Sequence, residues 1–225
     1  MPKRYQQASD LPAELAIFPL AGAILLPRAT LPLNIFEPRY LALFDAVMSG
    51  NRLVGMIQPQ GVGGPTGSPQ VRTAALYDVG CAGRVTTYQE HEDGRLTIVL
   101  SGVGRFRMLG ERDVEQPYRV IGADFSGFAA DLQSGLGEDD VDRERLLDTL
   151  KRYLAHRQLK ADWTAVARTG SETLVNWLSV ASPFGPNEKQ ALLEAPTLKL
   201  RAEALITLAE MELAASGTDP GSRLQ

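Results

Sequence analysis

The chain has 225 residues, of which 44% are hydrophobic and 22% charged, so it can bury a substantial core. Its formal net charge of -4 disfavours general affinity for nucleic acid or anionic membrane, since both need concentrated Lys and Arg. Cys81 is the only cysteine, which excludes an intrachain disulfide and a thiolate zinc cluster. Neither a secretory signal nor an apolar run of roughly 20 residues is present, and we expect a soluble, cytoplasmic protein.

The first half of the sequence is predicted to form short β-strands. Prolines within the opening segments remove ladder donors, so these strands should bend or lie at sheet edges, as in a small barrel. Asp93-Gly94 predicts a tight hairpin, and Gly61–Gln70 is expected to form a flexible loop. The segments rich in β-branched and aromatic residues are LAIFPL, ILLP, LPLNIF, LVGMIQ, RVTTYQE, RLTIVLSGV, RFRML and YRVIGADF.

One helix is predicted in this half, directly after the tetrapeptide EPRY. Pro38 suits a first helical turn, where its missing N–H costs little, and Glu37 then lies beside the positive end of the helix. The helix should end at Gly50. Apolar residues recur through it at helical spacing: Tyr40, Leu41, Phe44 and Val47.

The second half changes to helical periodicity. After Phe128, ADLQSGLGEDD reads as a polar linker, and a first helix is predicted from near Val141. Further helices are predicted over SETLVNWLSVA, over NEKQALLEA and over TLKLRAEALITLAEMELAA. The last of these is apolar on more than one face, which predicts either packing on two sides within the chain or a partner. The tail SGTDPGSRLQ is expected to be disordered.

No recognisable active site emerges from the motifs. His91 and His156 are the only histidines, and both are expected to be solvated rather than to bind metal. Cys81 with His91 as base would make a nucleophile, but a lone cysteine in a strand is usually a small buried hydrophobe. GVGRF lacks the third glycine of a dinucleotide fingerprint and reads as a strand bend, and no P-loop, GxSxG or HExxH occurs. We predict no catalytic residue, no cofactor and no metal.

The order of several segments resembles the substrate-binding N-terminal domain of Lon protease. These segments are FPLAGAILLPRATLPLNIFEPRY, LVGMIQP, VGCAGRV, EDGRLTIVLSGVGRFRM and ASPFGPNEKQALLEAPTLKLRAEAL. The likeness extends from about Leu15 to Leu213 and is greatest to bacterial proteins that consist of this domain alone. It implies an α+β fold, in which a PUA-like β-barrel (1–130) precedes an α-helical bundle (131–215) and a disordered tail (216–225).

The resemblance implies a module that binds unfolded or damaged polypeptide or a partner protein, including a separate protease. Lon proteases carry an ATPase module and a Ser-Lys protease domain after this region, whereas this sequence ends at Gln225 without a P-loop, so we expect no catalysis. An enzyme with an unrecognised pocket and a PUA-like nucleic-acid binder remain open alternatives, the second disfavoured by the acidic balance. Arg39, Arg84 and Arg105 match recurring arginines of the family. They would contact substrate or, in the structural alternative, form ion pairs and caps.

Overall fold

The computed structural model describes residues 5–61 and 74–217. Within these residues, strands make up the first half and helices the second, with one helix between the second and third strands. The strands are β1 (Glu14–Pro19), β2 (Thr30–Ile35), β3 (Leu53–Ile57), β4 (Val79–Glu90), β5 (Leu96–Arg112) and β6 (Val120–Asp124). The chain is therefore of mixed α+β class.

The strand pairings close on themselves. The order is β2-β5-β4-β3-β1-β6, and β5 pairs with β6 as well, so β5, β4, β3, β1 and β6 form a ring. All pairings are antiparallel except the parallel pairing of β1 with β3. β2 lies outside the ring and, among residues 5–61 and 74–217, pairs only with β5, along one edge. The predicted hairpin at Asp93-Gly94 is confirmed: it joins β4 to β5, and Gly94 adopts the positive φ that the turn requires.

The helix predicted after EPRY is confirmed as α1 (Pro38–Met48), with Pro38 in its first turn. Its buried side chains face the strands, and the ring of Tyr40 stacks on that of Phe18 with 4.0 Å between centroids. EPRY is thus the junction between β2 and α1. The buried residues of the helix are Tyr40, Leu43, Phe44 and Val47.

The second half contains five helices among the described residues. They are α2 (Arg143–His156), α3 (Trp163–Arg168), α4 (Ser171–Ala181), α5 (Pro186–Glu194) and α6 (Leu198–Gly217). Four of them match the sequence predictions, whereas α3 was not predicted. α6 packs against α2, α4 and α5, so its wide apolar surface serves contacts within the chain on more than one side.

Two apolar clusters form the core. The smaller one takes a residue from each strand of the ring and therefore fills its interior; these residues include Leu15, Leu53, Ala82, Phe106 and Ile121. The larger one runs without a break from strand residues such as Phe18 and Met56 to helical residues such as Leu150 and Leu205. The helical half consequently packs against the outer surface of the strands through a shared core.

Two strand predictions need correction. ILLP was predicted as a strand, but Ile24–Leu26 form an irregular buried segment between Gly22 and Arg28, both of which have positive φ. RLTIVLSGV and RFRML were predicted as two strands, but they are the single strand β5, which carries a bulge at Val103. The bend expected at GVGRF is thus a bulge inside a continuous strand.

The predicted polar linker is also corrected. A 3-10 helix, Ser126–Leu132, overlaps its start, a second one, Glu138–Asp140, forms its end, and its Asp131 is buried. The predictions for the loop over residues 62–70 and for the tail over residues 218–225 lie outside the described residues. Within the described part of the chain, no helix is long and apolar enough to span a bilayer.

Candidate functional site

An open apolar groove lies in the helical half, with a cavity of about 110 Å³. Its walls come from α2, α4 and α6, and from the segment 182–184 that follows α4. Pro183 comes one residue after Ser182, the C-cap of α4, at a position where a proline cannot continue a helix. The apolar side chains that line the groove include Leu146, Leu150, Leu178, Phe184, Leu205 and Ile206.

Two large apolar side chains that line the groove are exposed to solvent. Trp177 is 52% exposed and Leu159 is 59% exposed, and both belong to the groove lining. Large apolar groups that stay exposed beside an apolar depression mark surfaces that bind other molecules. Tryptophan is especially frequent at the centre of protein interfaces, because it combines a large apolar area with one N–H donor.

A polar group without a partner accompanies these apolar side chains. Tyr153 lines the groove and is 5% exposed, and its hydroxyl has no hydrogen-bond partner among the described residues. A buried hydroxyl normally finds a partner, because leaving it unsatisfied costs about 1–3 kcal/mol. The hydroxyl oxygen is itself enclosed, so it is not offered to a molecule that lies in the open groove.

The unpaired edge of β2 is a second candidate surface. Thr30, Pro32 and Asn34 are exposed, and Phe36, which follows the strand, is 62% exposed. A free strand edge can accept an extended chain through main-chain hydrogen bonds. Pro32, however, has no N–H to contribute to such a ladder, and prolines at edges protect sheets from unwanted pairing. The groove is therefore the stronger candidate.

The structure places the three predicted arginines in three different settings. Arg39 donates to Glu37 from Nε at 3.0 Å, and its guanidinium lies 4.4 Å from the centre of the Tyr40 ring. Arg84 donates from Nη1 to the hydroxyl of Tyr5 at 3.2 Å and to the carbonyl of Asn51 at 3.1 Å. None of the three lines the apolar groove.

Arg105 is buried and pairs with Asp131. Its Nε and Nη2 donate to the two carboxylate oxygens at 2.8 Å each, and its backbone N–H donates to the same carboxylate at 2.9 Å. Nη1 reaches the carbonyls of Leu193 at 3.1 Å and Ala195 at 2.7 Å, at the end of α5. This one side chain therefore connects β5, the 3-10 segment and the helical half.

The nucleophile considered from the sequence is not assembled. Cys81 is buried, and burial raises the pKa of its thiol well above the ordinary range, so the thiolate is not available. His91 is exposed in the hairpin, where its Nε2 lies 2.8 Å from the hydroxyl of Thr97. Among residues 5–61 and 74–217, no group of His, Cys, Asp or Glu is placed to hold a metal ion.

The sequence predictions did not identify the groove residues as a site. Leu150, Tyr153 and Leu154 were recognised only as a helical stripe, which is the usual signature of a core. Trp177 is the residue that distinguishes a binding groove from an ordinary core, because its position in SETLVNWLSVA lies outside the face that the helix buries. A large aromatic group outside the buried face of a helix is a better indicator of a binding surface than the stripe itself.

The ring of strands, the helical half and the groove define a mixed α+β protein with an open apolar groove. The family model of the ATP-dependent protease La (LON) substrate-binding domain matches residues 14–210, and the chain belongs to this family. The resemblance seen in the sequence is confirmed.

Relatives and solved structures agree with this assignment. The Lon protease of Dictyoglomus thermophilum is 24% identical over 94% of this chain, and that of Anaeromyxobacter dehalogenans is 28% identical over 88%. The chain spans 26% and 23% of these two proteins. The N-terminal domain of the Mycobacterium avium complex Lon protease has a TM-score of 0.64 at 15% identity, covering 88% of this chain and 98% of that one. The Lon N-terminal domain protein from Xanthomonas campestris has a TM-score of 0.59 at 21% identity, covering 86% and 97%.

Proposed function

We propose that the protein binds unfolded or damaged polypeptide through the apolar groove of its helical half. The observation that carries this proposal is the presence of two large exposed apolar side chains, Trp177 and Leu159, at one apolar groove of the described chain. The family is named for substrate binding, which supports a polypeptide as the occupant. Apolar segments that could fill the groove are buried in a folded protein and exposed in an unfolded one. The groove would therefore select unfolded polypeptide over folded protein.

The contacts expected in the groove explain weak and sequence-tolerant binding. Apolar side chains of the client would cover Trp177 and Leu159, and burial of apolar area contributes about 25 cal/mol per Å². Apolar burial is non-directional and requires no particular residue type, so many client sequences would fit the groove. The unpaired edge of β2 would extend this contact for clients that are already extended.

We also propose that the ring of strands is a PUA-like barrel over residues 1–130, followed by a helical bundle over 131–215. The closed strand pairing and the cluster inside the ring support the first part. The larger cluster crosses the boundary between the two parts, which makes them subdomains that share one core. Arg105 is proposed to have a structural role at their junction. Arg39 and Arg84 are likewise proposed to stabilise local structure, while substrate contact remains the alternative for all three.

A cysteine nucleophile is not expected at Cys81, because the residue is buried and its thiol pKa is raised, while an enzyme with an unrecognised pocket stays an alternative. A partner protein, including a separate protease that receives the bound client, is consistent with the family. Nucleic-acid binding is the other candidate function, and the net charge of -4 disfavours it.

Binding of three ligands at two salt concentrations tests the proposal. Fluorescently labelled unfolded casein, a labelled folded protein and single-stranded RNA are each titrated with the full chain, and anisotropy is recorded. We expect the unfolded chain alone to bind, with an affinity that changes little with salt, since apolar contacts are not screened. RNA binding that weakens steeply with salt would favour the alternative. An equal, negligible signal for all three ligands would reject polypeptide binding by this chain alone.

A further inference from the structure

A second, polar cavity lies between the two halves of the protein, away from the apolar groove. Its volume is about 240 Å³, and it opens to solvent past exposed Lys199 and Leu136. Strand, 3-10 and helical segments all contribute to its walls, as does the start of α6 at Thr197 and Leu198. The proposed polypeptide groove shares none of its lining residues with this cavity.

Arg201 lines the cavity as a buried cation without a carboxylate partner. It is 4% exposed, and among the described residues it forms no ion pair. Its guanidinium donates only to neutral acceptors: the carbonyl of Leu192 at 2.9 Å, the side-chain oxygen of Asn176 at 2.9 Å and the carbonyl of Ala195 at 3.4 Å. A buried charge is normally paired, because removing it from water is costly.

A second guanidinium approaches Arg201. Arg105 donates to the same carbonyl oxygen of Ala195, at 2.7 Å, so two positive groups converge on one acceptor. The pKa of Arg201 is lowered to about 10, first by burial and then by the charge of Arg105. Arg105 is already held by the carboxylate of Asp131, so Arg201 is the guanidinium of the two that an oxyanion would stabilise.

The remaining donors around the cavity also favour an anion. The N-terminus of the long helix α6 presents its positive end there, and Lys199 lies in its first turn. Arg28 lines the cavity as well and adds positive charge, while its Nη1 donates to the carbonyl of Asp131 at 2.6 Å and its Nη2 pairs with Glu172. These donors come from different elements and meet at one cavity.

The carboxylates that face the cavity offset only part of this charge: Asp131 and Glu172 act to raise the pKa of Arg201, but burial and Arg105 outweigh them. Asp131 is engaged by Arg105, and Glu172 is engaged by Arg28. The third, Asp140, is exposed. Four cationic side chains therefore face three carboxylates, which leaves one positive charge in excess.

We propose that this cavity binds a small oxyanion of carboxylate or phosphate chemistry, held by Arg201, Lys199 and the N-terminus of α6. The planar guanidinium of Arg201 matches the paired oxygens of such a group. A free metabolite and the C-terminal carboxylate of a polypeptide share this chemistry. The proposal stands on the charges of the cavity and not on the function of the groove.

The test measures thermal stabilisation of the full chain by four probes at constant ionic strength, adjusted with sodium chloride. The probes are acetate, inorganic phosphate, an N-acetylated trialanine with a free carboxylate, and its C-terminal amide. A ligand that binds only the folded state raises the melting temperature with a saturable dependence on concentration. Response to phosphate or acetate indicates a free anion, whereas response to the carboxylate peptide alone indicates a chain terminus.

Variants distinguish the cavity from general salt effects. Lys199→Ala is expected to weaken binding about threefold to tenfold, and Arg201→Lys by about tenfold or more, because Lys cannot provide a planar fork. Lys160→Ala removes the same charge from an exposed position outside the cavity and should leave binding unchanged. If Arg201→Lys fails to fold, Lys199→Ala carries the comparison. Absence of saturable stabilisation by every probe, or equal binding in Lys199→Ala and Lys160→Ala, would overturn the proposal.

Discussion

Replacing Asp131 by asparagine should destabilise the protein severely. The carboxylate is 8% exposed and accepts three hydrogen bonds from Arg105, which is itself 4% exposed. An asparagine side chain at this position would keep a similar shape but not the negative charge, so the guanidinium would stay buried without compensation. Breaking a buried ion pair on one side typically costs about 3–5 kcal/mol.

An exposed pair supplies the matched control. Asp148 pairs with Arg152 one turn along α2, with 68% and 52% of the two side chains exposed. Pairs of this kind contribute about 0–1 kcal/mol, because water screens them and two long side chains lose freedom. Asp148→Asn makes the same chemical change as Asp131→Asn, so the difference between the two variants isolates the effect of burial.

Urea unfolding followed by circular dichroism measures both variants. With a slope of about 2–3 kcal/mol per molar urea, Asp131→Asn should lower the midpoint by about 1–2 M, and Asp148→Asn by less than about 0.5 M. The strand half and the helical half should lose stability together, because Arg105 connects β5 to the end of α5. Equal midpoints for the two variants would refute the structural role of this pair.

Three further predictions concern the core. Truncation before Pro196 removes α6, whose buried Leu and Ile side chains contribute about 1.5–3 kcal/mol each to stability. The remaining chain should therefore lose its cooperative thermal transition. Melting at the parental temperature would show that α6 is peripheral. Gly102→Ala should lower the free energy of unfolding in urea by at least about 1–3 kcal/mol, because the new Cβ would lie 1.9 Å from the carbonyl oxygen of Leu26. The control Gly127→Ala places a Cβ that meets nothing within 4 Å, so it should cost less than about 1 kcal/mol. Similar losses in the two variants would contradict the close contact at Gly102. Cys81 has a raised thiol pKa, so iodoacetamide at about pH 8 should label it only after unfolding, and rapid labelling of the folded protein would contradict its burial. The folded state retains the thiol proton at pH values where the unfolded state loses it. The free energy of unfolding should therefore fall as the pH rises above the unfolded thiol pKa of about 8.5.

Periodic segments were predictable from the sequence because local physics determines them. The helix at Pro38 has a proline in its first turn and a regular apolar stripe, and α4 was predicted with the bounds that the structure has. α3 escaped prediction because its six residues are too few for periodicity. Its signal was the cap at Asp162, whose side chain accepts the N–H groups of Thr164 and Ala165.

The remaining errors come from contacts distant in sequence. Gly102 reads locally as a strand break, yet it lies inside β5 because the backbone of Leu26 approaches too closely for a side chain. The sequence places Asp131 in a polar linker, but its ion pair with Arg105, 26 positions away, buries it in the core. The groove itself depends on how three helices meet, which no single segment encodes.

The most direct test of the proposed function compares two tryptophan variants in binding unfolded casein. Trp177→Ala removes the exposed anchor of the groove, while Trp163→Ala makes the same change at a partly exposed position outside it. Interface anchors typically contribute about 1–2 kcal/mol or more, so Trp177→Ala should weaken binding about tenfold or more, and Trp163→Ala should bind like the parent. Equal affinities for both variants, with the fold of each intact by circular dichroism, would contradict polypeptide binding at the groove.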